Sequence, residues 1–231
     1  MKCYCYSPED FPKKLKQAKK ELKENGIIFL SNIHSEITGW LIANHFGKTV
    51  PNSDAEKNGI TEITEEKIGS NPKNSRAFTR LGLIPHTDRS TKRVPPKYLL
   101  NWVQEPSQHG GEILLTDGNL LYKKMKKEYP SKLKILQDKI AFFSDGISSY
   151  IAPIFNKNSV GDISIRFRDD NCVFFSDEAK PAILVLKKLI CENTNIYTFQ
   201  AGEGYLLDNT RWLHGRNAYS GHRLICRIHL N

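Results

Sequence analysis

His86 and Asp88 stand two apart in the run Pro85-His86-Thr87-Asp88, so on an extended strand their side chains leave the same face and can hold one metal ion. His214, far downstream, can close the site. Two histidines and one carboxylate on one side of an ion leave the opposite positions open, which is what a non-haem Fe(II) oxygenase requires. Neutral imidazole and carboxylate suit ferrous iron, and with no thiolate near them a structural zinc site is disfavoured. An HxD pair alone is common by chance. The strand signals after it and the arginine-rich segment around His214 are what single this one out.

Such an ion has room for a bidentate 2-oxo acid and for dioxygen, and the far carboxylate of that acid then needs a cation in fixed geometry. Arginine supplies one with a planar fork that stays charged. Arg223 and Arg227 follow His214 by nine and thirteen residues, across the turn Tyr219-Ser220-Gly221, so the chain can leave the metal strand, reverse and return beside it. Their even separation puts both on one face of the returning strand, one for the cosubstrate and the other for an acidic group of the substrate. Farther upstream, Ile163, Ile165 and Phe167 alternate with Ser164, Arg166 and Arg168. Arg166 is the stronger candidate there to line an acidic-ligand pocket, and Arg168 the weaker.

The elements that must position these groups are mainly strands. Tyr98 to Val103, Glu112 to Thr116, Ile140 to Phe143, Asp162 to Arg168, Cys172 to Phe175, Ile196 to Phe199, Gly204 to Leu207, Trp212 to His214 and Leu224 to Leu230 carry strand signals bounded by Gly, Pro, Asn and Ser. Phe11, Leu15, Ala18 and Leu22 make one face of an amphipathic helix that Gly26 ends, and Ile27 to Leu30 is a short buried strand. A second helix over Ser35 to Phe46 turns Ile37, Trp40, Leu41 and His45 toward the core. The polar, aperiodic stretch 47–79 reads as a lid before the metal strand. A lysine-rich helical insertion over 119–137 covers the core with Leu120, Leu121, Met125 and Leu133, and Ser176 opens a helix with Ala182, Val185, Leu186 and Leu189 as its stripe. Without a βαβ rhythm, two packed antiparallel sheets with flanking helices, a jelly roll, fit best.

The 231 residues suit a single domain, and 39% hydrophobic with 26% charged residues is the composition of an ordered globular chain. The start lacks an apolar leader and no apolar run approaches the roughly 18 residues of a membrane span, so the expectation is a cytoplasmic protein without a membrane partner. Five cysteines without a CxxC pair read as reduced thiols packed like small apolar residues. A net charge of +9 is spread along the chain rather than gathered into a basic groove with interleaved aromatics, so no nucleic-acid partner is expected.

The segments IPHTDRSTKRVPPKYLLNWVQEPSQHGGEILLTDG and GEGYLLDNTRWLHGRNAYSGHRLICRIHL resemble the two signature regions of the Fe(II)/2-oxoglutarate dioxygenases of the taurine dioxygenase and clavaminate synthase type. The resemblance implies a double-stranded β-helix, iron ligands at His86, Asp88 and His214, and Arg223 on the C5 carboxylate of 2-oxoglutarate. Arg227 matches a position that often touches substrate in the clavaminate synthase branch, where the setting is natural product biosynthesis. The implied cofactors are Fe(II), 2-oxoglutarate as cosubstrate and dioxygen. The implied reaction is hydroxylation of an unactivated C–H bond in a small polar metabolite, a free or carrier-protein-tethered amino acid or other carboxylate. Desaturation is the alternative outcome. Asp88 disfavours the related halogenases, which have a small residue there. The sequence departs from the family pattern in two places: Ile113 stands where a hydroxyl after the GGE turn often meets 2-oxoglutarate, with Thr116 on the opposite face, and the turn from His214 to Arg223 is short. Readings from other classes are a metal-dependent enzyme that uses no oxygen and a non-enzymatic basic binding module.

Overall fold

A computed structural model describes residues 5–51, 55, 58–65, 77–159 and 161–231. The N-terminal third contains Cys5–Tyr6 (β1), Phe11–Asn25 (α1), Ile27–Leu30 (β2), Glu36–Asn44 (α2), Thr61–Ile63 (β3) and Leu83–His86 (β4). Next come Tyr98–Glu105 (β5), His109–Gly110 (β6), Ile113–Asp117 (β7), Gly118–Glu128 (α3), Pro130–Leu136 (α4), Ala141–Ser144 (β8), Ser149–Ala152 (β9) and Phe155–Lys157 (β10). The remainder holds Ile163–Ile165 (β11), Val173–Phe175 (β12), Lys180–Asn193 (α5), Asn195–Tyr197 (β13), Gly204–Asp208 (β14), Trp212–Arg216 (β15), Tyr219–Ser220 (β16) and Leu224–Leu230 (β17). The chain is therefore mainly β, with helices outside the sheets.

Two sheets dominate, a six-stranded one in the order β1-β2-β14-β5-β17-β3 and a four-stranded one in the order β13-β7-β15-β4. Side-chain alternation sorts their residues into layers. Leu100, Trp102, Leu206, Cys226, Ile228 and Leu230 point outward onto Phe11, Ala18, Leu22 and Ile42 of α1 and α2. Leu99, Tyr205 and Leu207 point the other way and meet Ile113, Leu115 and Trp212 of the smaller sheet. A separate cluster joins α3, α4 and α5 to β8, β11 and Leu213. Among the described residues no helix is long and apolar enough to cross a membrane.

Several expectations needed correction. On α2 the buried side is Gly39, Ile42 and Ala43, while Ile37, Trp40 and Leu41, and His45 just after the helix, are exposed. Gly39 lies so close to the Trp102 ring that a Cβ there would sit 2.6 Å from it, so the helix docks on its smallest residue rather than on its most apolar face. Leu120 is likewise exposed beside buried Leu121 and Met125. Part of the stretch 47–79 is an edge strand, since Thr61–Ile63 pairs with β17. Much of that stretch, and with it the expected lid, lies outside the described residues. Strands β9 and β10 carried too little alternation to be read. Of the cysteines described, only Cys226 is buried, and Cys5 and Cys191 are exposed.

Candidate metal centre

His86 ends β4 and His214 sits in the middle of β15, and the antiparallel register pairs them directly. Their rings are 4.7 Å apart between centroids. Between His214 and Arg216 the register shifts, and Gly215 lies so close to β4 that a Cβ would fall 2.3 Å from the Leu83 carbonyl oxygen. Asp88 follows just after β4, in a turn that passes through Arg89 at φ 54°. Buried Asn209 fixes this turn: its Oδ1 accepts from the Asp88 amide at 2.7 Å, and its Nδ2 donates to the carbonyls of Asp88 and Pro96 at 3.0 and 2.9 Å. One ligand atom from each of His86, Asp88 and His214 can be chosen so that all lie within 4.8 Å of one another.

The donor set fits a divalent metal. His86 donates Nδ1–H to the Ile84 carbonyl at 2.8 Å, which leaves Nε2 with a free lone pair. Both ring nitrogens of His214 are buried without a hydrogen-bond partner, a costly arrangement in a protein interior that a bound cation relieves at one of the two. Burial pushes the pKa of His86 down, and burial followed by the nearby His86 pushes that of His214 well down, so both rings are neutral and able to ligate a metal. Burial alone would raise the Asp88 carboxyl. Arg227 and His229 outweigh it and hold the group well below the usual carboxylate range.

Arg223 and Arg227 both reach the interior, but from β17 and the turn before it in the six-stranded sheet, not from a strand returned beside β15, which lies in the four-stranded one. Arg223 is buried, 5.3 Å over the Tyr219 ring, with its Nη2 donating to the Gly111 carbonyl at 3.4 Å. It has no carboxylate partner among the described residues. Arg227 Nη1 is 2.7 Å from Asp88 Oδ2, and its Nε donates to Asn101 Oδ1 at 3.0 Å. Asn101 in turn donates to the Tyr205 hydroxyl at 2.6 Å. A third arginine, Arg216, lies on the same strand face as His214 and donates to the Ala77 carbonyl at 3.1 Å. Burial, then Arg223, lowers its pKa to about 10.

Arg166 does not line the site. Its guanidinium donates to the carbonyls of Ser90, Lys92 and Arg93 at 2.9, 2.7 and 3.0 Å and stacks over Tyr150 at 4.8 Å, so it tethers the turn after Asp88. Of Arg166 and Arg168, Arg168 is the one whose charge reaches His86 and Asp88, and it is paired through two bonds with Asp170. Thr116 faces away and meets Thr194 at 2.8 Å, as its parity required. Ile113 lines a cavity of about 300 Å³ beside Arg223. Sequence reasoning missed Asn209, Arg216 and His229. Arg216 and His229 are polar residues at core-facing parity on β15 and β17, a signal that was available.

Solved structures share this fold. Non-heme iron oxygenase OrfP, in complex with Fe and alpha-ketoglutaric acid, superposes with a TM-score of 0.74 at 13% identity, over 97% of this chain and 81% of that one. An asparagine oxygenase gives 0.76 at 12%, over 96% and 81%. Among curated proteins, dioxygenase str8 of Strobilurus tenacellus is 26% identical over 214 residues, 84% of this chain and 48% of the relative. The gamma-butyrobetaine dioxygenase of Homo sapiens is 26% identical over 186 residues, 73% and 47%. The chain thus spans about half the length of the curated relatives it matches. The family described as taurine catabolism dioxygenase TauD, TfdA matches residues 6–229, a range that takes in His86, Asp88, His214 and both interior arginines of β17 and its preceding turn, and the chain belongs to that family.

Proposed function

We propose that the chain is an Fe(II)- and 2-oxoglutarate-dependent hydroxylase of a small polar metabolite, an amino acid or other carboxylate, built on a single double-stranded β-helix domain. The observation that carries this reading is His214, whose ring nitrogens are both buried and unpartnered and which sets one ligand atom within 4.8 Å of those of His86 and Asp88. Ferrous iron, 2-oxoglutarate and dioxygen would together supply the oxidation: succinate and carbon dioxide are released, one oxygen atom ends in succinate and the other in the hydroxylated product.

His86, Asp88 and His214 hold the ion and exchange no protons. Arg223 would grip the C5 carboxylate of the cosubstrate, because it is a buried cation without a carboxylate of its own among the described residues. Arg216 and Arg227 add to the positive field around it, which suits a dianion more than a neutral ligand. Arg227 spends Nη1 and Nε on Asp88 and Asn101, so Nη2 is the group it offers to an acidic substrate. The Arg168–Asp170 pair would meet the two ends of a zwitterion, whether a free amino acid or one tethered to a carrier. Arg166 takes no part in binding on this reading.

Anaerobic titration of Fe(II) with and without 2-oxoglutarate tests the centre through the weak visible charge-transfer band of the chelate. A screen of amino acids and small carboxylates for stimulated succinate release, followed by product mass, tests the reaction. A gain of one oxygen supports hydroxylation, and a loss of two hydrogens replaces it with desaturation. Absence of the band in iron-loaded protein removes the proposal.

A further inference from the structure

His229 is buried, 3% exposed, on a strand where its neighbours Ile228 and Leu230 pack outward against α1 and α2. Parity therefore turns His229 inward together with Arg227, and its register partner on β5 is Leu99. A buried imidazole needs a polar partner, and the one it has is the proposed metal ligand: His229 Nε2 lies 2.8 Å from Asp88 Oδ2. Because a carboxylate only accepts, Nε2 carries the proton. The same oxygen receives Arg227 Nη1 at 2.7 Å. No side-chain donor reaches Asp88 Oδ1 among the described residues. With Asn209 holding the backbone of Asp88 on the other side, both ends of this residue are fixed.

We propose that His229 is a positioning residue: together with Arg227 it saturates Asp88 Oδ2, so that Asp88 meets the metal through Oδ1 alone. This rests on the metal-site reading above and goes beyond it. A metal held by two imidazoles and one carboxylate oxygen would keep room for a chelating oxo acid and dioxygen. A carboxylate binding through both oxygens would take some of that room. Two strong donors on Oδ2 make that mode costly, since bidentate binding would displace at least one charge-assisted hydrogen bond in a buried site. Outer partners of ligating groups typically govern metal affinity by about 10–100-fold.

The test compares full-length wild type with His229→Gln, which keeps an N–H donor, and His229→Leu, which keeps bulk and removes it. Each is titrated with Co(II), read from its visible absorption, and each Fe(II) form is then titrated with 2-oxoglutarate through the charge-transfer band. We expect His229→Leu to bind Co(II) about 10–100-fold more weakly and to lose 2-oxoglutarate chelation, with His229→Gln recovering most of both. Should the leucine variant fail to fold, the wild type alone decides: in the Zn(II)-loaded protein the His229 Nε2 proton should remain a downfield, exchange-protected resonance. A folded leucine variant that binds Co(II) and 2-oxoglutarate like wild type overturns the inference, as does loss of that resonance on Zn(II) loading. A wild type that binds no Co(II) removes the metal-site reading and this inference with it.

Discussion

His86 and His214 face each other across adjacent antiparallel strands, yet only His86 has a hydrogen-bond partner for its ring. His86 gives Nδ1–H to its own strand, whereas His214 has both nitrogens buried and unpartnered. In the metal-free protein His214 is therefore a liability, with the desolvation cost of an unpaired buried group at about 1–3 kcal/mol. We predict that His214→Leu is as stable as metal-free wild type or more stable by about 1 kcal/mol, and gains no stability when Fe(II) or Co(II) is added. Thermal unfolding with and without metal checks both halves.

Arg223→Ala should weaken 2-oxoglutarate binding by about 10–100-fold, the worth of a charge-assisted pair of about 1.5–3 kcal/mol. Metal affinity should change little, because Arg223 touches no ligand. Separate titrations of Co(II) and of 2-oxoglutarate distinguish this from general disruption.

Arg166→Ala removes donors from three carbonyls in the turn that follows Asp88. We expect a loss of about 2 kcal/mol in stability together with weaker metal binding, since the turn carries a ligand. Arg166→Lys should not restore either, because an ammonium cannot fan out to three carbonyls as a guanidinium does. Denaturant unfolding and Co(II) titration report the two effects.

Arg168→Gln or Asp170→Asn should raise the substrate concentration needed for half-maximal succinate release by about tenfold or more, with little change in the 2-oxoglutarate requirement. A single lost charged contact of about 1.4 kcal/mol or more gives that factor. Equal shifts in both requirements would remove the pair from the substrate.

Asp145 offers a pH test away from the metal. Burial would raise its pKa, but the amides of Ser148 and Ile147 and the Thr91 hydroxyl outweigh it and hold the carboxyl below its ordinary value. A depressed folded-state pKa means the stabilisation is present above the unfolded value near ~4 and is lost as pH falls through the folded one. Asp145→Asn should therefore unfold with a shallower acid limb below about pH 4 than wild type, in parallel denaturant titrations.

The candidate centre was partly legible in the sequence because His86 and His214 lie on strands. Asp88 lies past the end of β4, and the turn that Asn209 fixes, rather than strand parity, sets its place beside His86. Arg227 follows the alternation of β17, with Arg223 in the turn just before it. Faces of short helices were not legible in the same way. On α2, Gly39 packs on Trp102 and leaves Ile37 and Leu41 outside, because the fit of one ring into one gap outranked the apolar count. Arg166 and Arg168 share a parity, so alternation could not separate the tether from the charge near the ligands. That distinction arises from the turn carrying Ser90 to Arg93, whose path depends on Asn209, more than a hundred residues away in sequence.

Gly215 constrains how such a site can change. The residue between His214 and Arg216 has no room for any side chain, because the backbone of β4 already occupies that space. Libraries that diversify the floor of this pocket should hold Gly215 constant and draw their variety from β7 and the Ser90–Val94 turn, since any side chain at 215 would push apart the two strands that carry the histidines.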